Sequence, residues 1–169
     1  MLFGCRVKKD FPRVEAIGAV DELNAALGML RVAAVFPMTQ NEVPLFQQTL
    51  ITLMGVLATP VGSEDKHAKA FGEGIAEATV AHLDDLVAEL EAMGALEIKG
   101  WALPGAGGVM SGAYADFART VCRRAERSVV TLDDTDEEVP NKQIVRYLNR
   151  LSDVLWLLAR MEEKQSSDA

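Results

Sequence analysis

The sequence predicts an all-α protein, a five-helix antiparallel bundle in a single domain covering residues 1–169. Hydrophobic residues make up 49% of the chain but aromatic residues only 6%, so alanine and leucine supply much of the apolar surface, which favours helix–helix packing. Five segments carry apolar residues at helical spacing, and no segment alternates like a strand. The loops between them are short, which is typical of antiparallel neighbours in a bundle.

The first two predicted helices are bounded by prolines. The first runs from about Pro12 to Val35, because Pro12 suits a first-turn position and Pro37 ends the run. The second runs from about Glu42 to Thr59 and ends at Pro60. The polar, glycine-bearing segment 62–72 that follows is expected to be a loop.

Three further helices complete the predicted bundle. The third runs from about Glu73 to Met93, and the fourth from about Met110 to Leu132 after a glycine-rich turn. An acidic connector leads to Pro140, which opens the last helix, and that helix extends to about Glu163. Residues 165–169 are expected to form a disordered tail, and residues 1–11 an N-terminal segment.

Composition excludes several classes of protein. The net charge of -8 argues against nucleic acid as a partner. Cys5 and Cys122 lie too far apart in sequence to suggest a disulfide framework or a metal site. No segment has the 18 to 20 or so uninterrupted apolar residues of a membrane span, and the N-terminus lacks the apolar core of a signal peptide. We therefore expect no membrane partner and a cytoplasmic location.

Four arginines and one glutamate fall within nine residues of the fourth predicted helix. At about 100° per residue, Arg119, Arg123 and Glu126 lie within about 60° of one another on the helical wheel, while Arg124 points away from them. Guanidinium groups on one face bind phosphates or carboxylates through a planar fork of donors. The alternative interpretation is a solvated basic face with pairs four residues apart.

Polar residues also interrupt the apolar faces of the first and last helices. Asn24 lies inside the apolar arc of the first helix, and Asp21 lies at its edge. In the last helix Asn149 and Asp153 are four residues apart, with Arg160 on the same side. That face also carries Trp156 and lies opposite the main apolar stripe. This helix is therefore expected to be contacted on two sides, by its own bundle and by a second subunit or ligand. Ordinary pairing within the chain is the alternative.

One metal-binding spacing occurs in the predicted loop. Glu64 and His67 form a Glu-x-x-His pair, the spacing found in di-iron bundles. Such a site requires a second copy, which the sequence lacks, so the pair does not predict a metal centre.

Three segments in order resemble the PduO-type ATP:cob(I)alamin adenosyltransferases. The first comprises Arg6–Asp10 and Arg13–Asn24, the second leads from Leu103–Gly105 to Arg119–Arg127, and the third is Tyr147–Asp153. The resemblance covers about residues 2 to 160. It implies a five-helix bundle that forms a homotrimer, with active sites between neighbouring subunits.

The resemblance also implies a reaction. The 5′-deoxyadenosyl group of ATP is transferred to cob(I)alamin, which gives adenosylcobalamin and triphosphate, usually with Mg²⁺. The implied ligands are ATP, Mg²⁺ and cobalamin. Further expected protein partners are a corrinoid reductase or an adenosylcobalamin-dependent enzyme.

Site residues follow from the same resemblance, position by position. Arg119, Asp21 and Arg123 are the implied catalytic residues, and Asp21 would pair with Arg119 of the adjacent subunit. The implied ATP-binding residues are Lys9, Arg123, Arg124, Glu126, Arg127 and Asn149. Glu126 is also the implied Mg²⁺ ligand, and Trp101 stands where the family commonly has a phenylalanine in the space of the lower corrinoid ligand.

The chain departs from the family pattern at several places that bear on activity. The segment between Pro104 and Arg119 is about two residues longer than usual, and Met54 and Ile17 replace a usual glycine and tyrosine. The family usually has a Thr-Gly-Asp-x-Gly-type triphosphate loop before the Leu2-Phe3-Gly4 segment, where this sequence has only Met1. Asp116 stands where a histidine is common. One alternative is therefore a catalytically impaired relative that binds corrinoid or nucleotide as a chaperone or sensor. A bundle with only a structural or interaction role is the other.

Overall fold

The computed structural model describes residues 1–96, 100–133 and 141–167. The described residues contain no strand and form six helices: α1 (Pro12–Ala33), α2 (Pro37–Leu57), α3 (Glu64–Phe71), α4 (Glu77–Ala92), α5 (Met110–Asp133) and α6 (Gln143–Ser167). The all-α prediction is confirmed, whereas the count of five helices is not. None of these helices combines the length and apolarity needed to cross a membrane.

The additional helix is α3, which lies in the segment predicted to be a loop. It is eight residues long and buries a single side chain, His67. The acidic residues Glu64 and Asp65 occupy its first turn, where they interact favourably with the helix dipole. It ends at Gly72, whose φ of +91° suits glycine. A helix with one buried residue leaves no apolar stripe in the sequence, which is why periodicity missed it.

Helix α2 begins five residues earlier than predicted. Pro37 occupies its first turn, so this proline starts the second helix as well as following the first. Because a proline at the first helical position loses no intrahelical hydrogen bond, it signals a start as readily as a stop. Pro44 then lies inside α2.

Helix α6 differs from the prediction at both ends. The Oδ1 of Asn141 accepts a hydrogen bond from the backbone N–H of Gln143 at 2.9 Å, next to the first helical residue. The helix continues to Ser167 and so includes residues 165–167. Pro140, most of the acidic connector and residues 168–169 fall outside the described part of the chain.

The centre of the bundle is α5, which packs against α1 and α6, while α2 covers α1 and α4 covers α6. Helices α5 and α6 run antiparallel, since Asp116 contacts Arg160 and Glu126 contacts Asn149. The apolar stripe predicted for the last helix is buried in the core; its members are Ile144, Tyr147, Leu151, Val154, Leu155 and Leu158.

A buried carboxylate closes the connection between α1 and α2. Glu162 of α6 is fully buried and accepts the backbone N–H of Val35 at 3.0 Å and that of Phe36 at 3.3 Å. These N–H groups lie at the turn into α2, where a helix start leaves donors unsatisfied. Glu162 therefore fixes the C-terminal part of α6 against the α1–α2 turn.

We expect Glu162→Gln to lower the free energy of unfolding by about 1 to 2 kcal/mol, because hydrogen bonds to a charged acceptor are stronger than those to an amide. Urea unfolding at one fixed protein concentration measures the change. The exposed Glu89→Gln on α4 is the control, expected to stay within about 0.5 kcal/mol of the parent. Equal midpoints for both variants would contradict the role of Glu162.

Candidate functional site

The outer edge of the α5–α6 contact carries a row of charged and polar side chains. On α5, Arg119, Arg123 and Glu126 occupy positions i, i+4 and i+7, which a helix places on one face. The opposite side of α5 is apolar and buried, with Ala118 and Val121 in the core. Packing of that apolar side leaves the arginine-bearing face at the edge of the bundle.

Glu126 joins the two helices at one end of this row. Its Oε1 accepts a hydrogen bond from Nδ2 of Asn149 at 2.8 Å, and its Oε2 lies 2.8 Å from Nη1 of Arg123. The Glu126 side chain is largely buried, whereas the Arg123 side chain is 46% exposed. The carboxylate therefore fixes one edge of the Arg123 guanidinium and leaves the rest open to an anion.

Cys122 is fully buried near Glu126 and Arg123. Its thiol donates a hydrogen bond to the backbone oxygen of Leu148 at 3.2 Å. Burial raises the pKa of the Cys122 thiol far above its ordinary value; the negative charge of Glu126 adds to this effect and Arg123 opposes it. Cys122 therefore remains a neutral thiol that packs between α5 and α6, and it is not a nucleophile at neutral pH.

A second polar crossing joins the helices at the other end of the row. Nη2 of Arg160 lies 2.5 Å from Oδ2 of Asp116, and both side chains are only 2% exposed. The other oxygen of Asp116 is 3.3 Å from Nε of Arg119. Nε of Arg160 also lies 3.0 Å from Glu163. One buried carboxylate thus contacts two guanidinium groups.

The roles of Asp116 and Arg160 are missed by sequence reasoning. Two signals point to them. Asp116 and Arg119 are three residues apart on one helix, and Arg160 interrupts a buried stretch that includes Leu158 and Met161. A charge in such a stretch requires a buried partner. Which carboxylate supplies it depends on how α5 and α6 pair, which the sequence pattern alone does not determine.

A cavity of about 640 Å³ opens beside Arg119. Its lining comprises Gly100, Trp101, Ala102, Leu103, Pro104, Asp116, Arg119 and Trp156. The chain has two tryptophans, and both line this cavity. Trp101 is 94% exposed, so its ring presents a large apolar surface that the described residues do not cover. An apolar cavity with one charged edge is typical of a site for a large organic ligand.

The other predicted site residues lie apart from this row within one chain. Arg124 forms an ion pair with Glu22 of α1. Arg127, Lys9 and Asp21 are exposed, and no hydrogen bond or ion pair of the described residues connects them to Arg123 or Glu126. The structure thus brings Arg123, Glu126 and Asn149 into direct contact, and it places Arg119 at the edge of the Trp101 cavity.

The described residues offer no cluster of three histidine, cysteine or carboxylate side chains that could hold a metal ion. Each oxygen of Glu126 contacts one protein group, Asn149 or Arg123, and each keeps a second lone pair.

The chain is similar to known proteins over nearly its whole length. Residues 1–162 match the family model described as cobalamin adenosyltransferase. A corrinoid adenosyltransferase PduO from Salmonella typhimurium is 36% identical over 167 residues, which are 98% of this chain and 47% of that protein. A cobalamin adenosyltransferase from Cupriavidus metallidurans is 40% identical over 161 residues, which are 94% of this chain and 78% of that protein. The chain spans about half the length of the PduO relatives.

Solved structures resemble the fold over nearly the whole chain. A variant PduO-type ATP:corrinoid adenosyltransferase from Lactobacillus reuteri complexed with ATP gives a TM-score of 0.81 at 29% identity, covering 97% of this chain and 88% of that one. A second variant, complexed with cobalamin and ATP, gives a TM-score of 0.80 at 30% identity, covering 95% and 85%. The chain therefore belongs to the cobalamin adenosyltransferase family.

Proposed function

We propose that this chain transfers the 5′-deoxyadenosyl group of ATP to a cob(I)alamin-type corrinoid. The observation that carries the proposal is the continuity of one face: Arg123, held by Glu126, lies on the same helix face as Arg119, which borders a cavity with two tryptophans. A cationic group beside an apolar cavity suits a reaction between a triphosphate and a large planar macrocycle. Relatives bound to ATP and to cobalamin support both substrates.

ATP would bind along the basic edge of the site. Arg123 is fixed on one side by Glu126 and exposed on the other, so its guanidinium can donate to phosphate oxygens without a large loss of side-chain entropy. Glu126 and Asn149 would hold this arginine. Lys9, Arg124 and Arg127 are exposed, which suits further contacts with the nucleotide once the site is complete.

The corrinoid would occupy the cavity, with Trp101 beneath its lower face. In the proposed reaction the cobalt(I) electron pair attacks C5′ of the ribose, the C5′–O5′ bond breaks and triphosphate leaves. The substrate cobalt is itself the nucleophile, so the protein needs no nucleophilic side chain. Its contribution is to place C5′ opposite cobalt and to stabilise the charge on the departing triphosphate.

The site would be completed by a neighbouring subunit in a homotrimer. Asp21 is exposed on α1, and Arg119 binds Asp116 through Nε alone, so its two Nη groups have no partner among the described residues. We propose that Asp21 of one subunit pairs with Arg119 of the next. Exposed apolar residues near the end of α1, such as Val32, support the proposal that a neighbouring subunit covers this surface.

Mg²⁺ would arrive with ATP, because Mg²⁺ keeps several waters and binds mainly through substrate phosphates. Glu126 would add a carboxylate oxygen to that ion. Both cysteines are free thiols, which supports a cytoplasmic location. A reductase that supplies cob(I)alamin and an enzyme that uses the adenosylated product are the proposed protein partners.

The first test measures adenosylcobalamin formation from ATP, Mg²⁺ and chemically reduced cobalamin. We expect turnover by the parent protein, and Arg123→Ala should lower kcat/KM for ATP by about 10- to 150-fold because a charged hydrogen bond is worth about 1.5 to 3 kcal/mol. Arg146→Ala, an exposed arginine of the same helix as Asn149, is the control and should retain parental activity. Binding of ATP or cobalamin without turnover would instead identify a chaperone or sensor.

Charge reversal tests the proposed contact between subunits. Arg119→Glu should weaken the trimer and lower activity by at least about tenfold, since like charges would then face each other. Adding Asp21→Arg should recover part of the trimer in light scattering. A monomeric parent protein, or a double variant no better assembled than Arg119→Glu alone, would contradict the pairing.

A further inference from the structure

Asp116 contacts the proposed site without touching the nucleotide-facing residues. Its carboxylate lies 3.3 Å from Nε of Arg119 and 2.5 Å from Nη2 of Arg160. Both oxygens are therefore engaged, one by a residue of the same helix and one by a residue of α6. We propose that Asp116 is a positioning residue for the corrinoid half of the site, which it orders by holding Arg119 and Arg160 together. The proposal rests on the proposed function.

The contact with Asp116 orients the Arg119 side chain. The Arg119 side chain is 30% exposed, so solvent alone would leave a long side chain with many rotamers. Binding through Nε fixes one edge of the guanidinium and leaves both Nη groups without a contact among the described residues. Asp116 thus turns Arg119 from a mobile surface charge into an oriented pair of donors at the cavity edge.

The second effect reaches Trp156 through Arg160. The guanidinium carbon of Arg160 lies 5.7 Å from the centre of the Trp156 ring, within the range of a cation–π contact. Glu163 forms an ion pair with the same guanidinium, and its Oε1 accepts a hydrogen bond from Nη2 at 3.3 Å. Arg160 is therefore fixed by two carboxylates and in turn limits the movement of Trp156, which lines the cavity wall.

Stability alone does not account for this arrangement. Removing two charges from water costs several kcal/mol per ion, and pairs of well-packed apolar residues often replace a buried ion pair at no loss of stability. Asp116 and Arg160 are both almost fully buried. What an apolar pair would not supply is a directed acceptor for Arg119 and a cation beside Trp156. Those are the properties that the buried charges add.

The test removes both charges together. Asp116→Leu combined with Arg160→Met replaces the two fully buried charges by apolar side chains of similar shape, and Glu163 keeps its contact with solvent. We therefore expect a melting temperature close to that of the parent. Turnover should fall about 10- to 100-fold, because small errors in placement are costly to a bimolecular reaction. The KM for cobalamin should rise, while the KM for ATP stays within twofold.

Tryptophan fluorescence supplies a readout that does not depend on turnover. Both tryptophans line the cavity, so quenching by added hydroxocobalamin reports occupation of this site. We expect the titration midpoint to rise about tenfold in the double variant. The control is Asp84→Asn with Arg150→Gln, which removes a partly exposed Asp–Arg pair between α4 and α6 that lies outside the cavity, with Nε 2.7 Å from Oδ1. It should leave both midpoint and turnover unchanged.

The outcomes separate the two proposals. A parent protein that forms no adenosylcobalamin refutes the proposed function, whereas an active parent with an equally active, stable double variant refutes the role of Asp116. If the double variant does not fold, Asp116→Asn is assayed below its melting temperature with Arg160 retained. An unchanged KM for cobalamin and unchanged kcat in that variant would also overturn the proposal, and a rise in KM for cobalamin alone would support it.

Discussion

The register between α5 and α6 is fixed by two polar crossings, one buried and one partly buried, and the candidate site depends on that register. Asp116 meets Arg160 at one crossing and Glu126 meets Asn149 at the other. Apolar side chains between them tolerate small shifts, but a buried charge does not, because a displaced partner leaves it unpaired at a cost of several kcal/mol. The two crossings therefore allow one alignment of the helices. This alignment places Arg123, with its partners Glu126 and Asn149, on the same face as the cavity lined by the two tryptophans.

Small residues on α5 let this helix pack closely in the core while its arginines face the candidate site. Ala115, Ala118 and Ala125 are fully buried on its inner side, so the neighbouring helices pack closely around it. A close approach brings carboxylates and amides of one helix within hydrogen-bond distance of the other, and the long arginine side chains then extend from the edge of the contact. The same feature that makes α5 the centre of the bundle thus presents its cationic groups to a ligand.

The parts predicted from sequence are those set by local periodicity. The spacing of Arg119, Arg123 and Glu126 follows from one helix, and the apolar stripe of α6 follows from another. Helix α3 was missed because one buried histidine gives no periodic signal. The Asp116–Arg160 pair was missed because its partners are 44 residues apart and meet only through the tertiary register. The role of Trp101 came from family resemblance, since an exposed aromatic residue carries no pattern of its own.

Arg119 binds Asp116 of its own chain and, in the proposed trimer, Asp21 of a neighbouring subunit. Its guanidinium has donors on two sides, and Asp116 uses only Nε, so the outer Nη groups can bind a second carboxylate at the same time. Without Asp116, a partner's Asp21 would have to order the whole side chain on association and would lose binding free energy to that ordering. With the guanidinium already oriented, the same contact costs less entropy. Under the proposed trimer, the intrachain bond therefore prepares the interface that completes the site.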